Sequence, residues 1–132
     1  RLVDIFLGIS AFSLQNHLRT SVRDVGQIEV DELYVGVDKR GAQYVVPIQA
    51  KGGRDKISAI QTKQDLAFCA ERYPDLIARA VSAQFMDEDR VAMFELEMGD
   101  DGEIEVLEQR HYRLVTADAI GPEDLKKYRK AR

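Results

Sequence analysis

Two carboxylates, an amide and an amine stand at alternating positions in two neighbouring apolar segments of the chain. Glu29 and Asp31 lie in the first segment, and Gln49 and Lys51 close the second. Side chains two positions apart in a strand point to the same face, so we expect each pair to share a face. Carboxylate and carbonyl oxygens are ligands that Mg²⁺ accepts, and a lysine beside the ion can orient a water or hold a phosphate. These four residues therefore supply the groups that metal-assisted phosphodiester hydrolysis uses.

The elements that must position these residues can be predicted from hydrophobic periodicity. Alternating apolar and β-branched residues predict strands over 13–22, 27–37 and 43–51, with turns at 24–26 and 38–41. The second and third strands would form a hairpin. From Ile57 the apolar spacing changes to three or four, which predicts a helix that ends at Tyr73, before Pro74. The pattern of residues 1–12 fits a helix or a strand equally well.

The second half of the chain predicts three more strands and a closing helix. The strands cover 77–85, 91–98 and 103–115, and the helix begins near Gly121. The order β-β-β-α-β-β-β-α predicts an α+β fold with a mixed β-sheet flanked by helices. A length of 132 residues is enough for one domain with a real core, so we expect a single domain over 1–132.

The spacing of Asp31 and the triplet Gln49-Ala50-Lys51 resembles the PD-(D/E)XK nuclease superfamily, and the QxK form resembles its Mrr-like restriction endonuclease branch. Seventeen residues separate Asp31 from the triplet. The resemblance covers about residues 26–73: strand, hairpin, strand and helix. It implies a restriction-endonuclease-like core and a Mg²⁺- or Mn²⁺-dependent endonuclease acting on DNA. By this resemblance, Asp31 and Gln49 are metal ligands, and Asp31, Gln49 and Lys51 are the catalytic residues.

Further site residues are expected around this core. Glu29 is a candidate second acid for the metal, and Gln61 and Gln64 resemble the glutamine that several branches of the family place on the following helix. Arg54 and Lys56 follow the triplet closely. We expect Arg54, Lys56, Gln61 and Gln64 to contact the nucleic-acid backbone, since phosphate contacts position a protein on DNA.

The chain departs from the family pattern in three places, one of which is that Val30, and not Pro, precedes Asp31. The neutral Gln49 replaces an acid, which lowers the expected metal affinity unless Glu29 compensates. The family's upstream acid, usually a glutamate on an N-terminal helix, has no clear match, because Asp4 is the only acid before Asp24. The chain begins without Met, so we expect a fragment that lacks this helix. Pro47 removes a hydrogen bond from a central strand and predicts a bulge beside the site.

Charge is distributed unevenly along the chain. The net charge of −4 and the pI of about 5.2 argue against a protein that coats nucleic acid by bulk positive charge. However, residues 39–63 contain six bases and one acid, whereas residues 84–108 contain ten acids and one base. Five more bases lie in 126–132. We therefore expect local binding to DNA through the basic run around the candidate site.

Other classes of protein are less well supported. No apolar run approaches the roughly 20 residues that span a bilayer, so we expect no membrane partner. Cys69 is the only cysteine, and no secretion signal is evident, which favours a cytoplasmic location. A homodimer is left open. Three alternatives also stay open: a surface salt bridge between Asp31 and Lys51, a catalytically inactive nuclease-fold module for DNA binding or assembly, and a β-rich interaction domain.

Overall fold

The structure is a computed structural model that describes residues 2–115 and 120–130. Its elements, in chain order, are α1 (Leu2–Leu7), β1 (Ser10–Val22), β2 (Gly26–Val37), β3 (Gln43–Lys51), α2 (Ala59–Arg72), β4 (Ile77–Ala78), β5 (Ala80–Phe85), β6 (Arg90–Met98), β7 (Ile104–Arg113) and α3 (Pro122–Lys130). The predicted α+β class is confirmed. Arg132, the last base of the basic C-terminal run, lies outside the described residues.

The seven strands form one mixed sheet in the order β1-β2-β3-β5-β6-β7, with β4 also pairing with β3. The first three strands are antiparallel neighbours. β3 runs parallel to β4 and β5, because α2 carries the chain back along the sheet before β4 begins. β5, β6 and β7 are again antiparallel. The predicted mixed sheet with flanking helices is therefore present.

Most predicted boundaries lie within a few residues of the observed ones, and two differences have clear physical causes. α2 begins at Ala59 because Ser58 is its N-cap, with the Ser58 hydroxyl accepting from the Gln61 N–H at 3.1 Å. The predicted strand 77–85 is split at Arg79. The split lies opposite Val46 and Pro47, where the pairing of β3 with its parallel neighbours is interrupted. Pro47 has no N–H to donate there.

Pro47 produces no register shift in the pairing of β2 with β3. Leu33 lies opposite Pro47 and Glu32 lies opposite Ile48, in a constant antiparallel register. The bulge predicted at Pro47 is therefore wrong for this pair of strands. The missing N–H affects the other edge of β3, where the short β4 ends and β5 begins.

Two hydrophobic clusters lie on opposite faces of the sheet, since successive residues of β3 point to opposite sides. Val46 and Ile48 pack with Phe6 of α1. Val45 packs instead with Phe68 of α2, which is 1% exposed. The two helices thus cover different faces, and residues 1–12, left undecided by the pattern, contain α1 and the first residues of β1.

No helix within residues 2–115 and 120–130 has the length and apolar character needed to cross a membrane.

Candidate active site

An open cleft of about 970 Å³ lies between β1, β2, the end of β3 and the first turns of α2. Its walls are mostly polar. Five of the eight residues predicted for the site line this cleft: Glu29, Asp31, Lys51, Gln61 and Gln64. The remaining lining residues come from the β1–β2 hairpin and from the beginning of α2. Two strands and one helix, predicted from separate parts of the sequence, therefore bring most of the candidate residues together.

Asp31 occupies a local irregularity of the sheet. The ladder between β1 and β2 pairs Leu18 with Val30 and Asn16 with Glu32, and it skips the residues between them. The skipped residue of β1 is His17, whose φ of 51° lies in the left-handed region that a non-glycine residue seldom adopts. Asp31 is half-buried at this point. The backbone around the candidate metal ligand is thus not that of a regular strand.

Glu29 already contacts two side chains of β1. Its carboxylate lies 3.5 Å from the Arg19 Nε and 3.9 Å from the His17 Nδ1, and its side chain is 45% exposed. An exposed ion pair of this kind contributes little to stability, about 0–1 kcal/mol. Glu29 can therefore leave this pair and turn toward a ligand at a small cost in free energy, but its present contacts do not orient it toward one.

Gln49 points into the interior under α2 and does not line the cleft. Its Oε1 accepts from the Ser58 N–H at 2.8 Å, and its Nε2 donates to the Ser58 carbonyl at 3.2 Å and to the Thr62 hydroxyl at 3.3 Å. The residue is 2% exposed. Its amide therefore anchors the start of α2, and one lone pair of its oxygen is already used.

Lys51 is half-buried at the last position of β3, beside Gln84 of β5. The Gln84 Nε2 donates to the Lys51 carbonyl at 3.5 Å and to the Asp55 carbonyl at 3.1 Å. These bonds hold the loop between Lys51 and Ser58 against the sheet. Within the described chain, no ion pair joins Lys51 to Asp31, so the surface salt bridge considered as an alternative is not formed.

Arg54 and Lys56 are exposed in this loop and lie outside the cleft lining. The basic run of residues 39–63 does not form one surface. Arg40, at the tip of the β2–β3 hairpin, pairs with Asp38 at 3.5 Å, and Lys63 pairs with Glu103 at 3.2 Å. The length of β3 puts the hairpin tip roughly 25 Å from Lys51. Of the six bases in 39–63, Lys51 alone is among the described residues that line the cleft.

Asp65 is the residue of this region that the sequence argument missed. It lies on α2, is 2% exposed, and its Oδ1 has no hydrogen-bond partner in the described chain. Burial and, to a smaller extent, the negative charge of Asp31 raise the pKa of Asp65 to about 7, against the opposing positive charge of Lys51. Asp31 and Lys51 are therefore within electrostatic range of this buried carboxyl group.

The signal that could have identified Asp65 is its place in the helical pattern. The buried residues of α2 recur at spacings of three and four, at positions 62, 65, 66, 68 and 69. An acid within such a stripe is unusual, because carboxylates are seldom buried without a partner. Burial, together with the smaller effect of Asp65 one turn earlier, raises the pKa of the Cys69 thiol to about 12.

The donor groups present fit a weakly enclosed divalent cation better than a closed structural site. Within residues 2–115 and 120–130, no three His, Cys, Asp or Glu side chains are grouped so as to hold a metal ion by themselves. Mg²⁺ does not require such a cage, since it keeps several waters and binds through one or two carboxylates. Asp31, half-buried on an open polar cleft, offers one carboxylate of this kind.

Comparisons of the chain with protein-family models, with curated proteins and with solved structures found no match. The resemblance to the PD-(D/E)XK nucleases accordingly stays a hypothesis, argued from the residues of the cleft.

Proposed function

We propose that the chain is a metal-dependent endonuclease that hydrolyses DNA phosphodiester bonds and has a restriction-endonuclease-like core. The observation that carries this proposal is the meeting of Asp31 and Lys51 on one polar cleft, next to Gln61 and Gln64 of α2. The order of β2, β3 and α2 agrees with the strand, hairpin, strand and helix that the resemblance implies. A carboxylate for the ion and an ammonium group for the water or phosphate are the groups that this chemistry needs.

Each residue has a defined task in this proposal. Bound Mg²⁺ or Mn²⁺ supplies Lewis-acid stabilisation of the phosphate charge and lowers the pKa of water. Asp31 holds the ion, and Glu29 is available as a further oxygen donor. The Lys51 ammonium group orients the attacking water and neutralises phosphate charge. The water oxygen would form a bond to phosphorus and release its proton to solvent, while a P–O ester bond breaks and the leaving oxygen takes up a proton from solvent. Gln61 and Gln64 donate hydrogen bonds to the DNA backbone.

The test is nicking of supercoiled plasmid in Mg²⁺ or Mn²⁺. We expect the wild type to nick the plasmid, and Asp31→Asn and Lys51→Met to lose at least about a hundredfold in rate, the scale of a directly acting group. Lys39→Met is the matched control, because it removes the same charge at the far tip of the hairpin. Chelation by EDTA should abolish nicking. Equal, metal-independent nicking by the wild type and both site variants would refute the proposal.

A second function, a nuclease-fold module that binds DNA without cleaving it, is favoured by the position of Gln49. The triplet amide is buried, carries no charge and is hydrogen-bonded to Ser58. In this case the protein retards DNA on a gel with a strong salt dependence, and neither Mg²⁺ nor Mn²⁺ produces nicks. The same plasmid assay thus separates the two functions. Absence of both binding and nicking leaves the β-rich interaction domain.

A cytoplasmic location and a homodimer belong to this proposal as expectations. Fractionation of the producing cells tests the location, and analytical ultracentrifugation of the purified chain, alone and with a DNA duplex, tests the assembly.

A further inference from the structure

The candidate metal site has fewer available charges than its sequence motif suggests. Gln49 carries no charge, and its side-chain oxygen already accepts a hydrogen bond from the Ser58 N–H. Glu29 is paired with Arg19 on the exposed side of the cleft. Asp31 is then the one carboxylate of the predicted ligand set without an ion-pair partner in the described chain. A second oxygen donor carrying charge would strengthen a Mg²⁺ site substantially, since the ion binds in proteins through one or two carboxylates.

Asp65 provides a carboxylate at the required location. It lies four residues after Gln61 and one after Gln64, both of which line the cleft, so α2 places it next to the cleft wall on the side that faces the sheet. The charges of Asp31 and Lys51 both act on it.

The surroundings of Asp65 are poorly explained by a purely structural role. A buried carboxyl group normally satisfies its oxygens with hydrogen bonds, because burial without a partner costs free energy. The Asp65 Oδ1 lacks a partner in the described chain. The neighbouring buried polar groups of α2 and β3, Thr62 and Gln49, bond to Ser58 and to each other instead. The Asp65 Oδ1 can therefore still accept a bond from a ligand.

We propose that Asp65 is the second carboxylate ligand of the divalent cation, so that helix α2 supplies the charge that the Gln-x-Lys triplet lacks. This inference rests on the proposed function and assigns a new residue to that site. Asp31 from β2 and Asp65 from α2 hold the ion between sheet and helix, with Lys51 beside both. Gln49 is then a positioning residue, because its bonds to Ser58 fix the start of the helix that carries Asp65.

The test measures metal binding in the absence of DNA, by titrating the chain with Mn²⁺ at pH 8 and following free Mn²⁺ by electron paramagnetic resonance. We expect Asp31→Asn and Asp65→Asn each to weaken Mn²⁺ binding by about tenfold or more. Asp55→Asn is the control, because it removes an exposed acid of the loop beside the cleft, and it should bind Mn²⁺ like the wild type. Circular dichroism checks the fold, and Asp65→Leu, which places an apolar group of similar size in the buried position, replaces Asp65→Asn if that variant does not fold.

The outcomes separate this inference from the function on which it rests. If Asp31→Asn loses Mn²⁺ binding and Asp65→Asn keeps it, Asp65 is a buried structural acid and the inference is wrong, while the proposed nuclease stands. If the wild type binds no Mn²⁺ at millimolar concentration, the metal-dependent function fails together with the inference.

Discussion

The Gln49 side chain and the Ser58 backbone form two reciprocal hydrogen bonds, with the amide oxygen accepting at 2.8 Å and the amide nitrogen donating at 3.2 Å. A side-chain amide can donate and accept at once, whereas a carboxylate accepts but does not donate. The bonds join the end of β3 to the first turn of α2. The glutamine of the triplet therefore has a structural reason to be a glutamine.

Replacing Gln49 should destabilise the fold. In Gln49→Ala, the Ser58 N–H loses its partner inside the protein, whereas the Ser58 carbonyl keeps the bonds from the Thr62 N–H and hydroxyl. We expect the free energy of unfolding to fall by roughly 1–3 kcal/mol. Urea unfolding followed by circular dichroism measures this. Gln43→Ala, at the exposed first position of the same strand, should leave the midpoint nearly unchanged. Equal midpoints for the two variants would contradict the anchoring role.

Local sequence patterns predicted the helices and strands well, because each has a clear hydrophobic periodicity and ends at a recognisable turn or helix-breaking residue. The predicted strand 43–51 coincides with β3, and α2 ends one residue before the predicted end at Tyr73. The pairing of strands was harder to predict. The constant register at Pro47 and the split at Arg79 both depend on which neighbouring strand faces the missing N–H of Pro47. That neighbour is decided only when β4 and β5 pair with β3.

The site was predictable to the extent that strand alternation determines it. Alternation predicted a shared face for Glu29 and Asp31 and another for Gln49 and Lys51. Glu29, Asp31 and Lys51 line the cleft, whereas Gln49 turns inward toward the start of α2. Asp65 was missed because its role depends on tertiary packing. Only the docking of α2 on the sheet brings a helix residue within range of Asp31.

The buried Asp65 should make stability fall as the pH rises. Its pKa is about 7 in the folded chain against an ordinary value of 3.8 in an unfolded chain, so the folded state holds the proton more tightly. The stabilisation from this proton is complete below about pH 4 and is lost as the pH rises to 7, by up to about 4 kcal/mol. Unfolding by urea at a series of pH values measures the slope.

Asp65→Asn isolates this contribution, since other acids titrate over the same range. The variant should be more stable than the wild type at pH 8 by roughly 1–3 kcal/mol, because it removes the buried charge but adds unpaired amide hydrogens. Below pH 4 the difference should shrink or reverse. Asp55→Asn, an exposed acid, should follow the wild-type curve. Parallel curves for the wild type and Asp65→Asn would show that the folded pKa is not raised.

The charges of Asp31 and Lys51 should move the pKa of Asp65 in opposite directions. Asp31 raises this pKa and Lys51 lowers it, so Asp31→Asn should shift the titration to lower pH and Lys51→Met should shift it to higher pH. The carbon chemical shift of the Asp65 carboxyl group, followed by nuclear magnetic resonance, measures both changes. Titrations that shift in the same direction, or not at all, would mean that the three side chains do not share one site.

Cys69 should be chemically inert in the folded protein. Its thiol is fully buried, and burial together with the nearby Asp65 raises the pKa of the thiol to about 12. The thiolate is the reactive form, so very little is available at neutral pH. An aromatic disulfide reagent should modify Cys69 only after unfolding in denaturant. Fast modification of the native chain, at the rate seen in denaturant, would mean that α2 opens readily.

The loop after Lys51 should make the phosphate contacts if the chain binds DNA. Each contact releases counterions, so Arg54→Ala and Lys56→Ala should each reduce the slope of log K against log salt by about 0.9 on duplex DNA. Lys63→Ala should change the slope less, because its ammonium group already pairs with Glu103 at 3.2 Å. Fluorescence anisotropy over a range of salt concentrations measures the slopes. If Lys63→Ala has the largest effect, DNA lies along α2 and the β6–β7 turn instead of the loop beside the cleft.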